Sequence, residues 1–143
     1  WHVFSKHAIN AYKVGGVSVF PLNKELFEAS FTSCSGIVTA AGFGTTTEAL
    51  YMGKKLLVIP QKHQYEQACN AYILKNMNVS VLKSFKIKHL EAIEHWMDST
   101  DRVSVHYPNN TEMLIDEMIS AYQDYDDPYI DYLTEKQFQL KTA

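Results

Sequence analysis

The stretch Thr39-Ala40-Ala41-Gly42-Phe43-Gly44-Thr45-Thr46-Thr47-Glu48-Ala49-Leu50, followed by Gly53-Lys54-Lys55-Leu56-Leu57-Val58-Ile59-Pro60, constrains this chain more than any other. It reads as a buried strand, a turn of small residues, a helix and a second buried strand. Bulky side chains are scarce in the turn, so an anion can approach the backbone. The free N–H groups that open the helix carry a partial positive charge. Such a turn can hold a phosphate. Polar residues then follow where a longer ligand would extend: Gln61, His63, Gln64, Glu66, Gln67 and Asn70.

Flanking segments continue the alternation. Trp1–Ser5 and Val17–Pro21 are strand candidates, with Gly15-Gly16 as a turn before the second. Asn23 caps a predicted helix through Ser30, with Leu26 and Phe27 inward. Gly36–Thr39 and Lys55–Ile59 are continuous apolar strands of the kind covered on both faces in parallel sheets. The helix Thr45–Met52 ends at Gly53, a residue suited to a left-handed C-terminal cap. A further helix covers Tyr65–Lys75 and a fifth strand Val79–Leu82. Helices are expected at His89–Asp98, with Leu90, Ile93, Trp96 and Met97 inward, and at Thr111–Tyr122, with Leu114, Ile115, Met118 and Ile119 inward. The final segment, with Asp124, Asp126 and Asp127, reads as a surface-wrapping tail or short helix. This order predicts an α/β fold, a Rossmann-like open parallel sheet flanked by helices. Residues 1–98 form its core, and 99–143 a C-terminal helix and tail packed on the same domain.

Composition excludes several classes. The 143 residues are 46% apolar and 20% charged, which is globular, and a formal charge of −3 gives no basic footprint for nucleic acid. The longest apolar run, Leu56–Pro60, is far too short to span a bilayer. Cys34 and Cys69 make no CxxC pair and are expected as two buried, reduced thiols in a cytoplasmic protein. The chain opens on Trp1 with no signal peptide in view, and reads as part of a longer protein.

The motifs narrow the chemistry. Gly42 and Gly44 do not complete GxGxxG, because Thr47 holds the third position, and no Walker A ending follows. The six histidines form no HxH or HxxxH pair, so no metal site is expected. Neither Ser35 nor either cysteine stands in a nucleophile motif. Thr45-x-x-Glu48 fits a capping box, in which the two side chains satisfy helix N–H groups reciprocally. Glu48 is equally well spaced to accept the hydroxyls of a ribose whose phosphate lies at the helix start. Spacing does not separate the two.

Ala41-Gly42-Phe43, Thr45, Glu48-Ala49-Leu50, Gly53-Lys54-Lys55, Ile59-Pro60 and His63-Gln64-Tyr65-Glu66-Gln67-x-x-Asn70-Ala71 together resemble the C-terminal, donor-binding half of GT-B glycosyltransferases. The similarity is greatest to MurG-like enzymes and a related bacterial group, and it covers about residues 17–82. It implies that Gly42, Phe43, Gly44, Thr45 and Thr46 hold the diphosphate of a nucleotide-sugar such as a UDP-sugar. It also implies that Glu48 binds ribose, and that Glu66 and Gln67 reach sugar hydroxyls with His63 and Gln64 lining the pocket. No metal or other cofactor is implied, since a helix N-terminus can neutralise the leaving diphosphate. No catalytic residue is assigned here, because such enzymes place the base in an N-terminal acceptor domain. At Ala41 the chain departs from the Ser or Gly common in the family, losing a hydroxyl contact. The resemblance further implies a sheet without its usual first strand. Its exposed edge would pair with another chain, as in a homodimer, or rearrange. The full protein would be cytoplasmic, at most peripheral to the inner membrane. Two alternatives remain: an epimerase-type sugar-nucleotide enzyme, and a donor-domain subunit needing a separate acceptor-domain protein.

Overall fold

A computed structural model describes residues 1–123, which belong to two compact units, 1–106 and 107–143. In the first unit, strands β1 (His2–Phe4), β2 (Tyr12–Val14) and β3 (Val17–Phe20) precede helix α1 (Lys24–Ser33). Strand β4 (Gly36–Thr39), helix α2 (Phe43–Tyr51), strand β5 (Lys55–Val58), helix α3 (Tyr65–Asn76) and strand β6 (Ser80–Val81) follow. A 3-10 turn (Ile87–His89) and helix α4 (Leu90–Asp98) complete it. The predicted α/β class with a helix-flanked parallel sheet is what forms.

The strands make two three-stranded sheets, β1-β3-β2 and β4-β5-β6. In the second, all neighbours are parallel, with Gly36 opposite Lys55, Thr39 opposite Val58 and Leu57 opposite Ser80. Its strands therefore deliver three loops to a single edge. In the first sheet β1 is parallel to β3, but β2 is antiparallel to it, joined through Gly15-Gly16 with Gly15 at φ +55°. This hairpin strand was not expected. Three exposed residues carry too little pattern to show it, and only the pairing with β3 makes Tyr12–Val14 a strand.

Local chemistry explains most boundaries. The Asn23 side chain accepts from the Leu26 N–H at 2.8 Å and starts α1. Helix α2 ends in a Schellman cap, with Gly53 at φ +59°, its N–H donating to Leu50 O and that of Lys54 to Ala49 O. Helix α3 ends the same way, with Asn78 at φ +65° in the glycine role. The two lysines after Gly53 also act on helix ends. Lys54 Nζ donates to the carbonyls of Thr32 and Cys34 at the end of α1. Lys55 Nζ donates to those of Met97 and Ser99 at the end of α4, and lies 5.1 Å from the Trp96 ring centre. Each ammonium meets the negative end of a helix dipole. Lys55→Met is accordingly expected to cost about 1 kcal/mol, read as a lower thermal midpoint with unchanged far-UV circular dichroism.

Ala41, Ala49, Leu50, Leu56 and Val58 form the centre of one core between α2 and the parallel sheet, and Phe31 brings α1 into it. Phe27 meets Phe4 edge-to-face and Phe31 at a tilt, tying α1 to the first sheet as well. On the opposite side of β5, Leu57 packs with Ile93 and Trp96 of α4. Gly36 lets the Trp96 ring pack close, since a Cβ there would lie 3.1 Å from that ring and 3.2 Å from Lys55 O.

Several expected inward residues face water instead. Leu26, Leu90 and Met97 are exposed although Ile93 and Trp96, beside the last two, are buried. Periodicity gave the right helices, but the sheet covers narrower stripes than the apolar residues span. Cys69 is exposed and Cys34 partly so, correcting the expected burial of both; they remain free thiols. In the second unit, helix α5 (Thr111–Gln123) forms as expected, yet Leu114, Ile115, Met118 and Ile119 are all exposed. The tail from Asp124 lies outside the described residues.

Candidate functional site

Strand β4 ends at Thr39, and the chain turns through Ala41, which is fully buried, into α2. Gly42 is the N-cap, with extended backbone (φ −74°, ψ 146°) and no side chain to bond the helix start. The first intrahelical bond runs from Thr46 N–H to Gly42 O at 3.4 Å. The N–H groups of Phe43, Gly44 and Thr45 therefore precede the helical ladder and are open to a ligand.

This corrects the capping box. The helix begins at Phe43, two residues ahead of the expected start, so Thr45 lies inside its first turn and cannot cap it. Thr46 is buried and its hydroxyl donates to Gly42 O at 2.7 Å. Thr47 donates to Phe43 O and Gly44 O, both at 2.9 Å. These two hydroxyls are thus turned back onto the helix. Glu48 is exposed, in the second turn, and its side chain makes no hydrogen bond or ion pair among the described residues. It stands four residues after Gly44 and so on the same helical face.

Neither close packing nor left-handed backbone explains the two glycines. Neither Gly42 nor Gly44 has positive φ, and a Cβ at either would meet no protein atom within 4 Å. Glycine inside the first turn costs stability relative to alanine, so Gly44 has no reason in the fold, whereas at the N-cap position of Gly42 glycine is preferred to alanine. Their bareness exposes the N–H groups and clears the face above Glu48.

The β5–α3 loop lies at the same sheet edge. His63 holds φ +64°, and the Gln61 N–H donates to Gln67 Oε1 at 2.9 Å, so the loop is tied back to its own helix. The Asn70 side-chain amide donates to Ala41 O at 3.0 Å and approaches Glu66 Oε1 at 3.5 Å. The Glu66 carboxylate is thus linked, through one amide, to the peptide that precedes the open helix start. His63, Gln64 and Glu66 are exposed; Gln67 is half-buried, with its Oε1 engaged by the loop. Sequence reasoning placed Asn70 among ligand-side polar groups, but its amide braces the two loops of the site. No local pattern signals a contact between residues 29 apart. Among the described residues, no group of three or more His, Cys, Asp or Glu is arranged to hold a metal ion.

Two parallel strands thus deliver an uncapped, glycine-lined helix start and a braced polar loop to one edge, where open α/β sheets bind ligands. A family model described as glycosyl transferase family 1 matches residues 7–100. The chain belongs to this family. The match spans β2 through α4 and both loops of the site, and it makes the chain a glycosyltransferase domain of the GT-B kind. No curated protein matches, and no solved structure matches.

Proposed function

We propose that the chain is the donor-binding part of a glycosyltransferase that moves a hexosyl or N-acetylhexosaminyl group from a nucleoside-diphosphate sugar to an acceptor hydroxyl. The observation that carries this reading is the α2 start. Gly44 has no internal reason, the first-turn N–H groups have no partner among the described residues, and Glu48 stands one turn behind Gly44 on the same face. The diphosphate would accept from the Phe43, Gly44 and Thr45 N–H groups, and Glu48 would accept from both ribose hydroxyls. Glu66 and the free amide of Gln67, with His63 and Gln64 beside them, would meet the sugar. The chemistry asked of these groups is positioning, together with stabilisation of the charge that develops on the departing diphosphate. The acceptor and the general base would come from another domain, so the chain alone would bind a donor and transfer nothing.

Titration of the chain with UDP, GDP and dTDP, followed by NMR, tests the reading. Saturable binding of one of them, with shifts at the Gly42–Thr45 amides, is expected; shifts confined elsewhere would defeat it. Gly44→Ala provides a signature that a structural glycine cannot. The methyl meets no protein atom, so stability should rise by about 0.4–1 kcal/mol. Affinity for the diphosphate should nevertheless fall at least about tenfold, because the added carbon occupies the approach to the N–H groups.

A further inference from the structure

The loop that leaves β6 carries chemistry that the nucleotide site does not use. Lys83-Ser84-Phe85-Lys86-Ile87-Lys88-His89 holds three lysines and no acid, in a chain whose formal charge is −3. All three lysines are exposed, as are Phe85 (62%) and Ile87 (91%). Leu90, which opens α4, is also exposed, and acidic residues resume only at Glu91 and Glu94. The Phe85 and Ile87 side chains project into water between cations. A ligand for this loop has to take up both the ammonium groups and the two apolar side chains. An anionic bilayer satisfies both: headgroup phosphates take the ammonium groups, and the headgroup–acyl boundary takes the apolar side chains.

We propose that Lys83–Leu90 docks this domain on an anionic lipid surface, with Phe85 and Ile87 entering the interface. Among the described residues no helix is long and apolar enough to cross a membrane, so the contact is peripheral. Because β4, β5 and β6 are parallel, this loop leaves the sheet at the edge that also carries the Gly42 turn and the Gln61–Gln64 loop. Docking would therefore bring the donor-binding edge to the membrane. That consequence rests on the proposed function, whereas the docking itself does not.

Co-sedimentation of the full chain with vesicles tests it. Binding is expected to phosphatidylglycerol–phosphatidylcholine mixtures, not to phosphatidylcholine alone, and to weaken steeply with salt. Replacing Lys83, Lys86 and Lys88 together by serine should weaken partitioning about a hundredfold. Phe85→Ser with Ile87→Ser should weaken it at least about tenfold. In an Ile87→Trp variant, emission excited against the wild-type background should be quenched by lipids brominated on the acyl chain. Wild-type chain that ignores anionic vesicles, binding that survives both sets of serines, or an unquenched Trp with equal retention on polyglutamate would each overturn the proposal. UDP, GDP and dTDP titrations of the same variants should match wild type, which keeps failure of the donor site distinguishable from failure of the docking surface.

Discussion

Glu48→Ala is expected to remove nucleotide binding while leaving the fold intact. A carboxylate that accepts from two hydroxyls makes charge-assisted hydrogen bonds, each worth about 1.5–3 kcal/mol, so affinity should drop by at least about a hundredfold. The cost to stability should stay within about 0.5 kcal/mol, because Glu48 is exposed and its side chain bonds nothing among the described residues. Had the helix begun at Thr45, with Glu48 as its capping partner, the same change would cost about 1 kcal/mol. The N-cap at Gly42 removes that term. The measurement is a pair: titration of wild type and variant with UDP, GDP and dTDP, and thermal melts of both. Undiminished affinity would eliminate Glu48 as the ribose ligand. A large fall in the melting midpoint would show that it supports the fold.

Leu57→Ala should have the largest effect on stability. Leu57 is 1% exposed, in the middle strand of the parallel sheet, packed against Ile93 and Trp96. Removing its three outer carbons leaves a cavity that a strand hydrogen-bonded on both sides cannot collapse. The expected loss is about 2–5 kcal/mol, read from urea unfolding. The same strand ends at the Gln61–Gln64 loop, so ligand affinity should weaken as well, through a loosened loop. Leu57→Ile conserves the volume and should restore most of the stability. A loss below about 1 kcal/mol for Leu57→Ala would mean that α4 does not cover the sheet as described.

How much of the site could be read in advance divides along a physical line. Gly53 and Asn23 were legible because their effects are local. A left-handed residue ends a helix and a side-chain oxygen starts one, each within a few positions. The apolar runs at Gly36–Thr39 and Lys55–Val58 announced covered parallel strands for the same reason. The start of α2 was not legible. Three consecutive threonines and Glu48 fit a capping box as well as a ligand site, and only the exit of β4 into a buried Ala41 makes Gly42 the first cap. Helical period shows which residues share a face, but not whether anything covers it. Leu90 and Met97 beside Ile93 and Trp96, and the whole apolar stripe of α5, illustrate this.

The sequence by itself determined the alternation of strands and helices, the caps at Asn23 and Gly53, and the small-residue turn with its downstream carboxylate. Each depends on interactions between residues close together in the chain. Only the tertiary structure decided that Asn70 braces the two loops, that Lys54 and Lys55 close distant helices, and that the exposed Glu48 side chain has no partner among the described residues. Those outcomes depend on which segments the parallel sheet brings side by side, and contacts across tens of residues leave no trace in local spacing.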